Sequence, residues 1–236
     1  MPQNWSTVLA NIKEMRKHRT AVVDTIGCER LADASEPPEV VRFQHFTSLL
    51  LSAMTKDQVT AAAVNRLKKH GLSPLNISKM DEDEIGKLIY PVGFWKRKAK
   101  YLKQCATICQ EEYNGDIPNT LDGLTSLPGF GPKMAHICMS VAWGEVTGIG
   151  VDTHVHRIAG WLGWTKTPAK NPEHTRIQLE EWLPHEEWRD INVLLVGFGQ
   201  EICKPVYPKC DDCLNQSLCP AYNAGMIKKS PSKKRK

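Results

Sequence analysis

The chain has 236 residues, of which 41% are hydrophobic and 24% charged, a composition typical of a globular protein and unlike that of a disordered one. Its length allows one large domain or two modest ones. Its apolar runs are far shorter than the roughly 18 residues that a membrane-spanning helix needs, so we expect no membrane partner. Residues 1–5 begin no apolar segment, so we also expect no secretory signal.

The net charge of +5 comes from the C-terminal tail. Residues 228–236 hold six Lys or Arg and no acid, which leaves 25 basic residues against 26 acidic ones in the rest of the chain. Composition alone therefore gives weak support for DNA binding by the folded part. The tail resembles a nuclear localisation signal, although a solvated disordered end has the same composition. We predict a nuclear protein and leave the mitochondrion open as a second location.

The spacing of apolar residues predicts an all-α protein with short connections. Gly71 and Pro74 are expected to end one of the helices. In chain order the predicted helices cover Ser6–Lys17, Val40–Met54, Ala61–Lys69, Asp81–Tyr90, Lys96–Tyr113, Thr120–Thr125, Lys133–Trp143, Thr153–Leu162, Pro172–Leu183 and Glu186–Ile202.

A glycine turn precedes the predicted helix that begins near Lys133. In Leu-Pro-Gly-Phe-Gly-Pro, Gly129 and Gly131 allow positive φ angles and a close backbone approach, and Pro132 suits the first turn of a helix. Outward amides and the positive helix end would together bind an anion such as phosphate. Such a hairpin would grip a DNA backbone without reading its sequence. A tight turn between two packed helices accounts for the motif equally well.

Lys133 stands at the helix end where a cation is disfavoured. Both the helix dipole and desolvation favour the neutral amine, which is the form that a lysine nucleophile needs to make a Schiff base. A lysine that only binds phosphate is the alternative.

Asp152 comes directly before the predicted helix that starts at Thr153. An Asp at that position is most often an N-cap. One carboxylate oxygen would cap the helix while the other assists deprotonation of Lys133 or stabilises positive charge on a sugar losing its base.

Four cysteines form the most specific motif in the chain. They are separated by six, two and five residues, in a segment rich in proline, and they are Cys203, Cys210, Cys213 and Cys219. Zinc and a [4Fe–4S] cluster both accept four cysteines. Four-cysteine zinc sites usually pair two short Cys-x(2–4)-Cys knuckles, whereas this segment has one short spacing, which favours the cluster. Lys204 and Lys209 lie within the loop and would meet phosphate.

Taken together, the Leu-Pro-Gly-Phe-Gly-Pro-Lys-Met-Ala, Val-Asp-Thr-His-Val and cysteine motifs closely resemble those of the endonuclease III family. The resemblance runs from about Val40 to Pro220. It implies a helix–hairpin–helix DNA glycosylase fold with a six-helix barrel domain over residues 35–145. An iron–sulfur cluster domain would comprise 1–34 and 146–222, followed by a basic disordered tail over 223–236.

The resemblance also implies the chemistry. Lys133 corresponds to the Schiff-base nucleophile, Asp152 to the aspartate that assists it, and the four cysteines to the ligands of a [4Fe–4S] cluster. The implied partner is duplex DNA that contains an oxidised pyrimidine or an abasic site, bound by a monomer. The damaged base would be flipped out of the stack, attack at C1′ would release it, and β-elimination would cut the strand. Phe94 corresponds to the wedge beside the vacated base.

One position departs from the family pattern. Met54 stands where the family usually has a glutamine that fills the space left by the flipped nucleotide. Methionine fills space but cannot hydrogen-bond the orphaned base as an amide does. We therefore expect a weaker dependence on the opposite base.

Two other functions remain open. Adenine-excising relatives share the fold, but they lack a lysine at the hairpin and carry a further C-terminal domain. A non-catalytic DNA-binding module with a zinc knot would need neither Lys133 nor Asp152.

Overall fold

The protein is all α-helical, as the sequence predicts. A computed structural model of the chain describes residues 1–227, and these residues form helices and loops with no strand among them. The basic residues 228–236 lie outside the described range. Within that range, no helix is long and apolar enough to cross a membrane.

Thirteen α-helices occur in the described residues. The first seven are α1 (Trp5–Met15), α2 (Val22–Ile26), α3 (Pro38–Ser52), α4 (Asp57–Lys69), α5 (Pro74–Lys79), α6 (Glu82–Ile89) and α7 (Trp95–Glu112). The other six are α8 (Leu121–Ser126), α9 (Pro132–Cys138), α10 (Thr153–Trp161), α11 (Pro172–Glu180), α12 (His185–Glu201) and α13 (Pro220–Asn223).

The boundaries differ from the sequence prediction where local chemistry starts or ends a helix. Pro74 begins α5, because Ser73 accepts a hydrogen bond from the Asn76 amide and Pro74 occupies the first turn. The predicted helix over Lys133–Trp143 starts at Pro132 and changes to a π-helix over Met139–Trp143.

The chain divides into two compact units. We call Thr25–Thr147 the central unit, and Met1–Asp24 together with the described residues from Gly148 onward the terminal unit. The segment 25–34, which the sequence analysis assigned to the N-terminal part, contributes Leu31 to the core of the central unit.

The central unit contains α3 to α9 around one apolar core. Within it, α5 and α6 pack on α7, α4 packs on α3 and α6, and α8 packs on α9. Arg42 of α3 makes a bidentate ion pair with Asp116 and lies over the Trp143 ring, its guanidinium carbon 4.3 Å from the ring centroid. These contacts hold α3, which carries part of the candidate site, to the chain that follows α7.

The terminal unit has its own core, in which α1 and α10 pack on α12. Arg16, at the end of α1, is 1% exposed and pairs with Asp24 and Glu201. Ile227 is 8% exposed in this core, so the expected disordered tail does not begin at residue 223, because the chain packs at least to Ile227.

Candidate functional site

The turn between α8 and α9 is anchored by two apolar side chains. Leu127 and Phe130 are each 3% exposed, and the Phe130 ring stacks on Phe46 with centroids 4.3 Å apart. The Phe130 amide donates to the Leu127 carbonyl at 3.1 Å, which closes the turn. The start of α9 is therefore fixed by packing in the central unit.

The two glycines of this turn have different roles. Gly129 has a φ of 76°, and a Cβ there would collide with the Tyr101 ring, so both its conformation and its closeness to Tyr101 require glycine. Gly131 has a φ of −95° as the N-cap of α9, and a Cβ there would meet nothing within 4 Å. Both glycines allow a positive φ, but only Gly129 adopts one, and Gly131 instead leaves the backbone before α9 open.

Lys133 is the second residue of α9, directly after Pro132, and its side chain is half-buried. The Cys28 thiol lies close enough to Lys133 for an electrostatic interaction. Burial raises the pKa of Cys28 to about 12, and the charge of Lys133 opposes that rise. Cys28 is thus a protonated neighbour. This electrostatic interaction could not be predicted from the sequence, because more than 100 residues separate the two positions and no motif joins them.

Met54 and Phe94 carry exposed apolar side chains on adjacent loops of the central unit. Met54 is 82% exposed and Phe94 is 64% exposed. Both have left-handed backbones, with φ of 53° and 57°. The predicted helix end at Met54 is wrong, because α3 ends at Ser52 and Met54 lies in the loop that follows.

Sequence analysis missed Lys98 of α7. Its side chain is buried, and its ammonium donates to the carbonyls of Leu51 and Ala53 at 2.8 and 2.5 Å and to Thr55 Oγ1 at 3.3 Å. Burial lowers the pKa of Lys98 to about 8. A lowered pKa alone would also suit a nucleophile. The Lys98 ammonium, however, is already hydrogen-bonded to three acceptors of the protein.

Asp152 caps α10 in the terminal unit, as predicted. Its Oδ1 accepts a hydrogen bond from the Val155 amide at 2.8 Å. Lys133 belongs to the central unit and Asp152 to the terminal unit, so the assistance that Asp152 gives to Lys133 stays a prediction.

The four cysteines of the terminal unit line one cavity. Cys203 follows α12, Cys210 begins a 3₁₀ turn that Cys213 ends, and Cys219 is the N-cap of α13. The other lining residues are mostly apolar and include Leu162, Phe198, Ile202 and Ile227. None of the eight cysteines, all of them in the described range, forms a disulfide. No disulfide therefore involves any of the four thiols of this loop.

Four cysteines around one cavity match the donor set of a [4Fe–4S] cluster. In such a cluster each thiolate binds a different iron, so four cysteines must surround a cavity. Burial and the neighbouring cysteines raise the pKa of Cys203 to about 12, and Arg157 opposes the rise. Within residues 1–227, no group of three or more His, Cys, Asp or Glu side chains is arranged to hold one metal ion.

Side-chain amides and a guanidinium hold this cysteine loop in place. The buried Asn215 donates to the Val8 carbonyl and accepts from Asn11, which ties the loop to α1. Arg157 of α10 donates to the Cys203 carbonyl at 2.6 Å. The loop is thus supported from two helices of the terminal unit.

Lys204 and Lys209 lie close together on this loop, since both of their backbone amides donate to the Ile202 carbonyl. Lys204 is half-buried and Lys209 is exposed. Their contact with phosphate stays a prediction.

Comparison with known proteins gives consistent matches. A family model described as "HhH-GPD superfamily base excision DNA repair protein" matches residues 47–185. The chain is 57% identical over 220 residues to endonuclease III-like protein 1 of Mus musculus, covering 93% of this chain and 73% of that protein. It is 52% identical over 241 residues to the chloroplastic endonuclease III homolog 1 of Arabidopsis thaliana, covering 100% of this chain and 63% of that protein.

The fold of the chain also matches that of a solved structure. It is a trapped covalent intermediate of endonuclease III with DNA, in an estranged-adenine complex, and it aligns with a TM-score of 0.80 at 27% identity. The alignment covers 96% of this chain and all of that one.

The two hairpin glycines provide a matched pair for a stability test. Gly129→Ala forces a left-handed conformation and a collision with Tyr101, so we expect a loss of at least about 1–2 kcal/mol in the free energy of unfolding. Gly131→Ala has an allowed φ and open space and loses only the N-cap preference for glycine over alanine, so we expect a loss below about 1 kcal/mol. Urea unfolding of both variants measures the difference, and equal losses would contradict the geometry of the turn.

Proposed function

Because this chain belongs to the HhH-GPD superfamily of base excision DNA repair proteins and to its endonuclease III family, we propose that it removes oxidised pyrimidines from duplex DNA and then cuts the strand at the vacated sugar. The chain is a DNA glycosylase with the predicted helix–hairpin–helix fold. The lesion class and the lyase step are the parts that we propose.

The position of Lys133 is the observation that carries this proposal. Lys133 is half-buried in the first turn of α9, beside the positive end of that helix. The preceding turn leaves the backbone at Gly131 open, so a DNA phosphate could approach the amides beside the lysine. The proposed nucleophile thus lies two residues after the glycine beside which a phosphate would bind.

The proposed chemistry begins with attack by the neutral Lys133 amine on C1′ of the damaged nucleotide. The bond between C1′ and the base breaks, and the base leaves with the electron pair and takes up a proton. Opening of the sugar ring breaks the C1′–O4′ bond and yields the Schiff base. Loss of a proton from C2′ then expels the 3′ phosphate, which cuts the strand, and water releases the enzyme.

We assign to Asp152 the role that the family resemblance implies. One of its oxygens caps α10, which holds the carboxylate in a defined orientation. The second oxygen would accept a proton from Lys133 or stabilise the positive charge that develops on the sugar. Both roles need an ionised carboxylate.

Borohydride trapping tests the nucleophile. The protein is incubated with duplex DNA containing thymine glycol, and borohydride reduces any Schiff base to a stable protein–DNA adduct. We expect the adduct with the wild type and none with Lys133→Gln, because the amide is not a nucleophile. Lys69→Gln, at an exposed lysine of the same unit, is the control and should form the adduct.

Three other outcomes are informative. An adduct that persists in Lys133→Gln would move the chemistry to another amine and leave Lys133 as a phosphate contact. Base release without any adduct would support a glycosylase that lacks the lyase step. Tight DNA binding with neither product would favour the binding-module interpretation.

We further propose that Cys203, Cys210, Cys213 and Cys219 hold a [4Fe–4S] cluster. The four cysteines line one mainly apolar cavity, and such surroundings limit the access of water to a cluster. When bound, the cluster would act as a structural clamp that positions Lys204 and Lys209 for DNA. No step of the reaction requires it.

Iron content and absorption test the ligand set. We expect about four irons per chain and a yellow-brown colour in the wild type, and loss of both in Cys210→Ala. Cys138→Ala is the control and should keep the cluster, because Cys138 is fully buried in the core of the central unit, whereas the cysteine loop belongs to the terminal unit. A colourless wild type that contains zinc would contradict the proposal.

The exposed Met54 leads to a prediction about the opposite base. A thioether cannot form the amide hydrogen bonds that a glutamine would offer to the orphaned base. We expect Met54→Gln to make the excision rate depend more strongly on that base, measured with thymine glycol opposite each of the normal bases. Equal opposite-base preferences in the two proteins would count against this role.

The proposed location is the nucleus, on the basis of the basic residues 228–236. The mitochondrion and the monomeric state also stay predictions.

A further inference from the structure

Two loops of the central unit present the two exposed apolar side chains together. The Gly93 amide donates to Thr55 Oγ1 at 3.1 Å, so the loop before α7 is bonded to the loop after α3. A Cβ on Gly93 would lie 2.5 Å from the Met54 carbonyl oxygen, which shows how closely the loops approach. Met54 and Phe94 therefore extend from one joined surface.

This joined surface is held in an unfavourable backbone conformation. Met54 and Phe94 both have left-handed φ angles, which cost conformational energy in residues with a Cβ. Their side chains gain little from burial, because both are largely exposed. Something other than their own packing must therefore maintain these conformations.

The buried ammonium of Lys98 supplies that support. An ammonium has three N–H donors, and three acceptors surround this one: the Leu51 carbonyl, the Ala53 carbonyl and Thr55 Oγ1. These acceptors lie in the last turn of α3 and on both sides of Met54. Because burial leaves the pKa of Lys98 at about 8, most of the molecules keep all three donors at neutral pH.

The Thr55 hydroxyl extends this support to the second loop. It donates to the Ala53 carbonyl at 3.1 Å and accepts from both Lys98 and the Gly93 amide. One hydroxyl has one donor and two acceptor positions, so all three are used. Lys98 is thereby connected through Thr55 to the loop that carries Phe94.

We propose that Lys98 is a positioning residue that holds Met54 and Phe94 as one rigid, two-pronged wedge that enters the base stack of duplex DNA. The proposal rests on the glycosylase function above, since an enzyme that acts on a base must first open the duplex. Apolar side chains that insert between base steps are a known means of unstacking DNA. Rigidity matters because it lowers the entropic cost of ordering the loops on binding.

The charges beside Phe94 suit the same partner. Lys96, Arg97 and Lys100 are exposed at the beginning of α7, and the first turn of that helix contains no acidic residue. Cations at this helix end are disfavoured in the free protein and would be stabilised by phosphates. An apolar wedge beside a cationic rim fits a nucleic-acid duplex better than an apolar protein partner.

Unstacking can be measured without any catalysis. A duplex carries a stable abasic-site analogue with 2-aminopurine as the neighbouring base, whose fluorescence rises when it leaves the stack. At saturating protein we expect a rise with the wild type, and a rise less than about half as large with Lys98→Met, because flexible loops no longer hold the duplex open. Lys87→Met, at an exposed lysine on α6, is the control and should match the wild type.

A comparison of substrates separates positioning from general damage to the fold. The rate of strand cleavage is measured on an abasic site in a duplex and in the corresponding single strand, which has no partner strand to open. We expect Lys98→Met to slow the duplex reaction by about tenfold or more while the single-strand rate changes by less than about twofold. An equal loss on both substrates would mean that Lys98 is merely structural and would overturn the proposal.

A second variant keeps the test valid if Lys98→Met does not fold. Thr55→Val preserves shape and removes the hydroxyl that joins the two loops, and it should give the same duplex-specific loss. Wild-type fluorescence in both variants would overturn the proposal. A wild type that unstacks DNA but cuts neither substrate would refute the lyase function and leave the wedge intact.

Discussion

The stacking of Phe130 on Phe46 is the contact on which the candidate site depends. Burying a phenylalanine contributes roughly 2 kcal/mol, which exceeds the approximately 1 kcal/mol that a side-chain N-cap adds to a helix. The turn before α9 can therefore be fixed from its apolar side while Gly131, which has no capping side chain, leaves the backbone open. The same packing positions Lys133, because Lys133 is the second residue of the helix that begins directly after the turn.

Two lysines of the central unit have the same side-chain amine but different surroundings, and therefore different roles. Lys98 is buried with an acceptor for each of its three N–H groups, so it holds loops together and has no donor left for a ligand. Lys133 is half-buried at the start of α9, where no side-chain cap covers the neighbouring backbone. A lowered pKa alone would favour Lys98 as the nucleophile, whereas geometry favours Lys133.

The sequence predicted the features that depend on local pattern. The longer helices, the Asp152 cap and the positive φ of Gly129 follow from periodicity, capping chemistry and the special conformations of glycine, whereas the short helices α2, α5 and α13 were not predicted. Features that depend on distant contacts were not predictable in this way. Lys98 lies in a run of basic residues that looks solvated, and its burial depends on acceptors at the end of α3 and in the loop that follows, more than 40 residues away. Gly131 differs from Gly129 both in its φ angle and in the absence of a neighbour such as Tyr101, which packs against Gly129.

The most direct test of the central claim is to map the site of covalent attachment in the wild-type protein. After borohydride reduction on DNA containing thymine glycol, the adduct is digested with nuclease and protease, and mass spectrometry locates the residue that carries the sugar remnant. We predict that the remnant lies on Lys133. A remnant on Lys98, on any other lysine or on the N-terminal amine would contradict the account.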